Sequence, residues 1–418
     1  MKHYQAVIIG GGCAGLACAA SLKKNGIEDI VLLEKDDEVG GILNQCIHNG
    51  FGLTTFKEQL AGPAFAERFA NEARELNVEI KTGTMVVEMN PDKTISYENK
   101  EEGYVTISAD TIILSVGCYE RNRGAVQIDG IRCSGVYTAG QAQRYLNIDG
   151  YMVGKKVFIL GSGDIGLIMA RRMHLEGAEV LGVAEIMPYS NGLPRNIKQC
   201  LEDYDIPLYL SHTVTKVYGK GRLQAIDVCR VENMKPIYED CMHIECDTLL
   251  LSVGLIPENH LAEKCGIQMD PRIKGPIVDE NFMTSVEGIF ACGNGLHVHD
   301  LADYAAQQGK KAGEGAARYI QNKERGLSTI KTIPADEVGY VVPGILHPTA
   351  LPKVVEVYFR CRKPLKEGTI TIRQGERVIR EIKKTNLMPS EMEIIPIASK
   401  MIQDTDDLTV EIRGAIYG

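Results

Sequence analysis

A glycine-rich loop that follows an apolar run occurs twice in the chain. Residues 4–15 read YQAVIIGGGCAG, and residues 155–166 read KKVFILGSGDIG. In each copy an acidic residue stands 24 residues after the first glycine: Glu34 follows Gly10, and Glu185 follows Gly161. A single glycine fingerprint is a weak signal. Two copies, each with a strand before it and an acid after it, predict two dinucleotide-binding units.

Each glycine of the fingerprint has its own physical role. The first allows the tight turn out of the strand, the second lets the backbone approach a pyrophosphate, and the third lets the helix pack closely on the sheet. The helix that follows offers N–H groups and its positive dipole end to phosphates. The acid accepts hydrogen bonds from a ribose and repels a 2′-phosphate. Glu185 is followed by Ile186, Met187 and Pro188, without Lys or Arg, so we predict NAD(H) rather than NADP(H) in the second copy.

Composition excludes several classes of protein. The chain has 418 residues, of which 44% are hydrophobic and 24% charged, which is typical of a globular protein of two or three domains. Its net charge of −9 argues against a nucleic-acid surface. No apolar run reaches the ~18–20 residues that span a bilayer, and a core strand follows the N-terminus too closely for a signal peptide. We therefore expect a cytoplasmic protein.

The cysteines predict neither a metal site nor a redox dithiol. The chain contains 12 of them, and no pair has CxxC spacing. A reduced cytoplasmic compartment is the simplest explanation of this cysteine pattern.

Two further strands end alike, and the last part of the chain follows a different pattern. Residues 111–117 read TIILSVG and residues 248–254 read TLLLSVG, so each half closes with a buried strand that reaches a glycine. The last 90 or so residues carry neither fingerprint and alternate as short strands separated by turns. We predict an α/β protein with two Rossmann-like dinucleotide-binding domains and a small all-β C-terminal domain.

Residues 1–325 resemble the two-dinucleotide-binding-domain flavoproteins, the pyridine nucleotide-disulfide oxidoreductase superfamily that contains glutathione and thioredoxin reductases. Five motifs carry the resemblance in order: Gly10–Gly15 with Glu34, the strand ending at Gly117, Gly161–Gly166 with Glu185, residues 251–257 (LSVGLIP) and residues 288–294 (GIFACGN). The resemblance implies a glutathione-reductase-like FAD/NAD(P) fold. It places FAD on residues 1–125 and 255–325, NAD(H) on residues 126–254, and the all-β domain at residues 330–418.

The resemblance also implies which residues bind each cofactor. For FAD they are Gly10, Gly12, Cys13, Ala14, Gly15, Glu34, Lys35, Gly41, Val86, Ser115, Gly117, Gly293 and Asn294. For NAD(H) they are Gly161, Gly163, Asp164, Ile165, Gly166, Glu185 and Gly254. Asn294 stands where the family usually has Asp on the flavin ribityl chain; its amide can still bond a hydroxyl, although the charge is lost. A helix that begins near Asp300 would direct its N-terminus at the flavin and stabilise the anionic reduced form.

The segment from Gly40 to Gly52 departs from the disulfide reductases. The glutathione type places its redox dithiol at positions that correspond to Leu43 and His48, and the thioredoxin type uses a CxxC in the nicotinamide domain; neither dithiol is present. Residues 40–52 (GGILNQCIHNGFG), residues 135–140 (GVYTAG) and the β tail instead resemble FAD/NAD-binding subunits of dye-linked dehydrogenase complexes. These are the glycerol-3-phosphate dehydrogenase-associated, opine oxidase and hydrogen cyanide synthase types. This branch implies an oligomer with a partner subunit, a dehydrogenase or an iron–sulfur protein or both.

Cys46 and His48 are the candidate catalytic residues, because the resemblance puts their segment near the flavin. Cys46 could act as a single redox thiol, with His48 relaying a proton or raising its thiolate fraction. In the alternative, Cys46 packs as a small hydrophobe and His48 bonds a loop carbonyl. His297 and His299 could meet the flavin or a partner.

The primary interpretation is an FAD-dependent NAD(H):acceptor oxidoreductase. Hydride would pass between NAD(H) and FAD, and electrons would pass to or from a partner subunit that oxidises glycerol 3-phosphate or an amino or imino acid. One alternative is a stand-alone NADH oxidase or disulfide/persulfide reductase that uses Cys46 alone. Another is a flavin-bearing electron-transfer scaffold with a vestigial NAD site, although intact Gly161, Gly163, Gly166 and Glu185 argue against it. The direction of electron flow and the acceptor stay open.

Overall fold

The computed structural model describes residues 1–322, 326 and 328–416. The chain forms two compact units, one built from residues 1–118 together with residues from 257 onward, and one from Tyr119–Ile256. The second unit is therefore an insertion in the sequence of the first. The predicted boundaries of the FAD, NAD and C-terminal domains stay a prediction.

The apolar run at the N-terminus becomes the central strand of the first unit. The elements up to residue 120 are the strands β1 (His3–Ile9), β2 (Ile30–Leu33), β3 (Asn49–Phe51), β4 (Leu60–Ala61), β5 (Glu79–Lys81), β6 (Met85–Met89), β7 (Thr94–Asn99), β8 (Gly103–Leu114) and β9 (Cys118–Glu120), and the helices α1 (Cys13–Lys24) and α2 (Gly62–Glu75). The sheet order is β5-β2-β1-β8-β7-β6, and β1 lies parallel to both β2 and β8. Nearly every residue of β1 and β2 is buried, as a parallel sheet covered on both faces requires.

The second unit contains a strand–helix–strand segment like the one at the start of the first unit. Its strands are β10 (Asp129–Gly130), β11 (Val136–Thr138), β12 (Lys156–Leu160), β13 (Glu179–Glu185), β14 (Leu208–Leu210), β15 (His212–Lys220), β16 (Arg222–Glu232), β17 (Lys235–Glu245), β18 (Thr248–Leu251) and β19 (Leu255–Pro257), and its helices are α3 (Ala139–Asn147), α4 (Asp164–Leu175) and α5 (Pro194–Cys200). A parallel sheet has the order β11-β18-β12-β13-β14, and a second sheet has the order β10-β15-β16-β17. β18 lies beside β12 as β8 lies beside β1, so the two similar sequence strands occupy equivalent positions.

The chain then returns to the first sheet. The next elements are α6 (His260–Lys264), β20 (Met269–Asp270), β21 (Gly275–Pro276), β22 (Ile289–Ala291) and α7 (Ala302–Asn322). β22 pairs in parallel with the end of β8. Helix α7 packs on α1 so closely that a Cβ atom at Gly309 would lie 2.1 Å from the Ala14 oxygen. Within the described residues, α7 included, no helix combines the length and apolarity needed to cross a membrane.

The strand-rich C-terminal region forms two sheets. Its strands are β23 (Ile330–Asp336), β24 (Val338–Val342), β25 (Ile345–Leu346), β26 (Val354–Cys361), β27 (Leu365–Gln374), β28 (Arg377–Leu387), β29 (Glu393–Ala398) and β30 (Leu408–Ile416). The sheet orders are β25-β23-β30-β27-β28 and β24-β26-β29. Alternate residues such as Ile370, Ile372 and Val410 fill a core of their own. The predicted fold class is confirmed: an α/β protein with Rossmann-like sheets and a strand-rich C-terminal region.

One disulfide links neighbouring strands of the second unit. Cys229 in β16 and Cys241 in β17 face each other directly in the antiparallel register, and their sulfur atoms are bonded. The sequence analysis did not identify this pair, because 12 residues of spacing indicate a bond only once the strand register is known.

Two candidate dinucleotide-binding sites

The first glycine loop is closed so tightly that two of its positions cannot carry a side chain. Gly10 has φ +107°, and a Cβ atom there would lie 2.4 Å from the Ser115 carbonyl oxygen. A Cβ atom at Gly15 would lie 2.0 Å from the Gly10 oxygen. The Ser115 hydroxyl donates to the carbonyls of Ile9 (2.9 Å) and Gly10 (2.8 Å), so the end of β8 fixes the turn that follows β1.

The middle glycine is different. Gly12 has φ −72°, which any residue can adopt, and a Cβ atom there would meet nothing within 4 Å. Neither the backbone conformation nor the packing of the protein requires glycine at this position, so the requirement must come from a ligand that binds against the loop. Helix α1 begins at the next residue, with no side-chain cap and no acid in its first turn. An open space at an uncapped helix N-terminus suits a pyrophosphate.

The acid after β2 is bonded back to the glycine loop. Glu34 is buried; its Oε2 accepts the Gly11 N–H at 2.7 Å, and its Oε1 accepts the Asp36 N–H at 2.8 Å. Lys35 is exposed, and its ammonium lies 3.0 Å from the Asp36 carboxylate. Val86 is half-buried in the edge strand β6. FAD contacts of Lys35 and Val86 stay predictions.

The segment before α7 closes on the same loop. Gly293 donates its N–H to Gln308 at 2.8 Å, and a Cβ atom there would lie 2.8 Å from that of Ala14. The Asn294 oxygen accepts the His299 N–H at 2.9 Å, and its amide nitrogen lies 3.6 Å from the Cys118 sulfur. The adjacent Gly117 has φ +76°, with nothing within 4 Å of a Cβ atom. The structure thus brings together the loop, the end of β8 and Asn294.

Cys13, at the first position of α1, carries a protonated thiol. Burial raises its pKa to about 12, and its sulfur donates to the Ala302 carbonyl at 3.7 Å. It therefore contributes packing and a backbone N–H, and no negative charge, to this anion-binding helix end.

Two buried histidines lie between Asn294 and α7. The His297 Nε2 is 2.8 Å from the Gln308 amide nitrogen, whereas the His299 Nε2 is buried without a hydrogen-bond partner. Burial is the main cause that lowers the pKa values of His297 and His299, and the positive charge of Arg360 lowers them further; the pKa of His299 falls to about 3. Arg360, from β26, donates to a backbone carbonyl (3.1 Å) and approaches Asp300 (3.5 Å). Both imidazoles are therefore neutral at physiological pH. The nearby guanidinium of Arg360 was not identified by the sequence analysis.

The Gly40–Gly52 segment runs over the first glycine loop. The Gly40 N–H donates to the Gly11 carbonyl at 2.8 Å, and a Cβ atom at Gly41 would lie 3.5 Å from the Gly12 Cα. Further along, the Cys46 thiol donates to the Ile42 carbonyl at 3.3 Å, and burial raises its pKa to about 12. The start of this segment lies beside the candidate pyrophosphate loop, and the predicted position of Cys46 near the flavin stays a prediction.

The second half of this segment is anchored to α7. The His48 Nδ1 lies 3.2 Å from the Asn49 carbonyl, and its ring lies 5.1 Å from that of Phe51. The buried carboxylate of Asp303 accepts the N–H groups of residues 52, 54 and 55 at 2.8–3.1 Å. These contacts agree with the alternative in which Cys46 and His48 are structural, and their catalytic roles stay predictions. Asp303 was missed, because its partners lie about 250 residues earlier in the chain.

The second glycine loop has the same construction as the first. Gly161 has φ +104°, and a Cβ atom there would lie 2.0 Å from the Ser252 carbonyl oxygen. A Cβ atom at Gly166 would lie 2.3 Å from the Gly161 oxygen. The nearest atom to a Cβ at Gly163 is the Ser252 hydroxyl, at 4.0 Å. Gly254, past the end of β18, has φ +102°, and the nearest atom to a Cβ there is the Arg121 Cδ, at 4.0 Å. Again the outer glycines are required by the protein, and the middle one has room for a Cβ atom.

Glu185 is held in place by hydrogen bonds to its own glycine loop, in the same way as Glu34. It is buried, its Oε2 accepts the N–H (3.1 Å) and hydroxyl (2.7 Å) of Ser162, and its Oε1 accepts the Met187 N–H at 3.0 Å. The carboxylate is therefore fixed at the end of β13. The Oε1 oxygen, which accepts one hydrogen bond, keeps capacity for a further donor such as a ribose hydroxyl.

The first turn of α4 carries an acid that α1 lacks. Asp164 accepts the Leu193 N–H (2.8 Å) and the Asn196 amide (2.7 Å), so it ties the start of α5 to the loop. The neighbouring Ile165 is half-buried against the core of the second unit. Asp164 therefore holds the loop, and its backbone N–H is the group it would offer to a phosphate.

A sequence model of the pyridine nucleotide-disulphide oxidoreductases matches residues 4–309, which include both glycine loops and Asn294. The chain belongs to this family. Members use FAD and a nicotinamide dinucleotide, which confirms the two predicted cofactors at that level. The choice of NAD(H) over NADP(H) stays a prediction.

Members of the family with similar sequences include subunits of larger enzymes. The glutamate synthase [NADPH] small chain of Escherichia coli is 26% identical over 75% of this chain and 68% of its own length. The hydrogen cyanide synthase subunit HcnB of Pseudomonas protegens is 24% identical over 73% of this chain and 67% of its own. An NADH oxidase of Methanocaldococcus jannaschii is 26% identical over 75% of this chain and 70% of its own.

Solved structures of the family share the fold. Thioredoxin reductase from T. acidophilum matches 76% of this chain and 98% of its own, with a TM-score of 0.61 and 23% identity. The bacillithiol disulfide reductase of Bacillus cereus matches 77% and 100%, with a TM-score of 0.63 and 18% identity. The FAD/NAD(P) fold predicted from the sequence is therefore confirmed.

Proposed function

We propose that the protein is an FAD-dependent NAD(H):acceptor oxidoreductase that works as one subunit of a larger complex. The observation that carries the proposal is the pair of glycine loops, in which the outer glycines are required by packing, whereas the middle ones, Gly12 and Gly163, have room for a Cβ atom. Bound FAD would supply the redox chemistry by exchanging a hydride with the nicotinamide and electrons with an acceptor. The protein supplies the two phosphate-binding helix ends, the ribose-binding acids and Asn294.

The nicotinamide preference follows from Glu185. A carboxylate fixed by three hydrogen bonds at the strand end cannot move aside for a 2′-phosphate, and burial strengthens the repulsion. The names of relatives do not decide this point, because one specifies NADPH and another NADH. The preference therefore depends on this chain's own acid.

The route by which electrons leave the flavin points to a partner. The chain has no CxxC pair, and the pKa of about 12 keeps the Cys46 thiol protonated, so it is a poor nucleophile. Two relatives are by name a small chain and a subunit. We infer a partner subunit that oxidises glycerol 3-phosphate or an amino or imino acid, or that carries iron–sulfur centres. An oligomeric state and a cytoplasmic location, where NAD(H) is available, belong to the same proposal.

A second candidate function is a stand-alone NADH oxidase or single-cysteine reductase, which the similarity to a protein named NADH oxidase favours. It predicts turnover with oxygen or a disulfide in the absence of any other polypeptide. For the thiol version, Cys46→Ser should abolish turnover with the disulfide and leave flavin reduction by NADH intact.

Anaerobic stopped-flow spectroscopy of the FAD-loaded protein tests the first step. NADH should bleach the flavin, and NADPH should do so at least about tenfold less efficiently. Glu185→Gln should lower the ratio of bleaching efficiency with NADH to that with NADPH, whereas Glu176→Gln, at the exposed end of α4, should leave this ratio unchanged. Failure of NADH to bleach the flavin refutes the proposal, and an equal response to both nucleotides refutes the preference.

The partner step needs a separate experiment. The protein is purified from its native cells under gentle conditions and compared with the isolated chain. The complex should reduce FAD with the partner's substrate, and the isolated chain should react with NADH and artificial dyes only. Rapid oxygen or disulfide turnover by the isolated chain would favour the second candidate instead.

A further inference from the structure

A buried group of three ligand-type side chains lies in the first unit, apart from both glycine loops. Asp279 and Glu280 belong to the segment between β21 and β22, and His347 follows β25 directly. Their side chains are 1%, 1% and 4% exposed. The group therefore joins the segment that leads into the first sheet with the strand-rich C-terminal region, and the proposed function makes no use of it.

The hydrogen bonds of this group leave an atom unsatisfied. The Asp279 Oδ1 accepts the N–H groups of Asn281 (2.9 Å) and Met283 (3.0 Å), but its Oδ2 is buried without any hydrogen-bond partner. The Glu280 Oε1 lies 3.2 Å from the Asn281 amide, and its Oε2 accepts the His347 N–H at 2.9 Å. A buried carboxylate oxygen without a donor is costly, so its position calls for a cation or a proton.

The three atoms that face one another are spaced for a metal ion. The His347 Nδ1 lies 3.3 Å from the Glu280 Oε2, within hydrogen-bond distance, and 3.7 Å from the Asp279 Oδ2, and all three atoms lie within 4.8 Å of one another. Ligands about 2.1 Å from a tetrahedral zinc ion are separated by roughly 3.4 Å. The 3.7 Å separation is too long for a hydrogen bond but fits two ligands of one ion.

Charge leads to the same conclusion. With both carboxylates ionised and the imidazole neutral, the group would carry a charge of −2 in a dry site, and a protonated imidazole would still leave −1. A divalent ion neutralises the group completely and satisfies the free Oδ2. One nitrogen and two carboxylate oxygens form a ligand set that zinc accepts in proteins.

We propose that Asp279, Glu280 and His347 bind one divalent transition-metal ion, which fastens the strand-rich C-terminal region to the segment before β22. The ion is structural, because no glycine-loop residue belongs to the group. Binding should stabilise the folded chain, since the site exists only when the two segments meet.

The test uses the full FAD-loaded chain, stripped with a chelator and then titrated with Zn²⁺ by calorimetry and thermal melting. We expect one equivalent to bind with micromolar or tighter affinity and to raise the melting temperature by several degrees. His347→Gln and Asp279→Asn should each lose that equivalent or bind it at least about 100-fold more weakly. His243→Gln, which removes a histidine from an exposed pair with Asp227 (2.8 Å), should bind as the wild type does.

Three results would overturn the proposal. They are the absence of a stoichiometric Zn²⁺ site in the wild type, a melting temperature that does not change when Zn²⁺ binds, and Zn²⁺ binding by His347→Gln and Asp279→Asn that equals that of the wild type. The wild-type titration decides by itself if the variants fail to fold. FAD content and bleaching by NADH are measured in parallel, so failure of the metal site is distinguishable from failure of the proposed function.

Discussion

Alanine at the middle glycine of the second loop should weaken NADH binding at least about tenfold without harming the fold. Gly163 has φ −66° and ψ 164°, which alanine adopts without strain, and the nearest atom to the new Cβ is 4.0 Å away. A glycine-to-alanine change at such a position stabilises a protein by about 0.4–1 kcal/mol. The melting temperature of the nucleotide-free protein should therefore stay the same or rise slightly.

The added methyl group would occupy the space that the pyrophosphate needs. Loss of one or two charge-assisted hydrogen bonds at about 1.5–3 kcal/mol each should raise the Kd for NADH by at least about tenfold. The matched control is Gly166→Ala, where a Cβ atom would lie 2.3 Å from the Gly161 oxygen. That overlap exceeds 1 Å relative to an ordinary contact of about 3.4 Å, so it should destabilise the unit by about 2 kcal/mol or more.

Anaerobic titration of flavin bleaching measures the Kd, and thermal melting without nucleotide measures stability. Gly12→Ala makes the corresponding change in the first loop and should lower FAD content, with little effect on the melting of the FAD-free protein. If Gly163→Ala binds NADH within twofold of the wild type and melts normally, the second loop is not the nicotinamide site. Our account of the open glycine would then be wrong.

Three further predictions concern groups around the first loop. Burial lowers the pKa of His299 from about 6.5 in the unfolded chain to about 3 in the folded chain, so its contribution to stability should fall by up to about 1.4 kcal/mol per pH unit as the pH drops from 6.5 towards 3. The free energy of unfolding, measured by chemical denaturation at several pH values, should depend less on pH in His299→Gln than in the wild type. Burial raises the pKa of Cys46 to about 12, so at pH 7 iodoacetamide should modify it at least about tenfold more slowly than the half-buried Cys133, the internal reference in peptide mass mapping; equal rates would contradict the burial argument. Asp303→Asn should weaken the charge-assisted bonds to the 52–55 loop and speed its amide hydrogen exchange at least tenfold, and unchanged exchange would show that the carboxylate does not anchor it.

Features encoded by neighbouring residues could be predicted from the sequence. Each glycine loop, its strand, its helix and its acid lie within about 30 residues, the length of one strand–helix–strand unit, so spacing alone indicated their arrangement. The crowding at Gly10 and Gly161 confirms the reason for the first glycine, and Ser115 and Ser252 show which atoms enforce it. Ser115 was predicted to contact the cofactor, and the structure adds a second role, because its hydroxyl bonds the loop.

Features that depend on distant parts of the chain could not be predicted. Asp303 bonds residues about 250 positions earlier, Arg360 reaches the histidine pair from a C-terminal strand, and His347 meets Asp279 only in the folded protein. None of these residues lies in a periodic pattern or a motif. The disulfide of Cys229 needs the strand register, which the sequence does not specify. Each of these contacts is set by tertiary packing, about which local spacing carries no information.

The insertion of the second unit within the first has a consequence for the order of synthesis. Residues 112–114 of β8 pair with β22, which is made 177 residues later (289 − 112), after the whole of the second unit. While the ribosome translates the intervening chain, that part of β8 is an open sheet edge beside Ser115, and α1 lacks the cover of α7. The inserted unit can complete its own sheet in this interval, because domains fold as units during synthesis. The first glycine loop is therefore made before the second unit and enclosed only after it, which leaves the neighbouring edge of β8 exposed to mispairing during that interval.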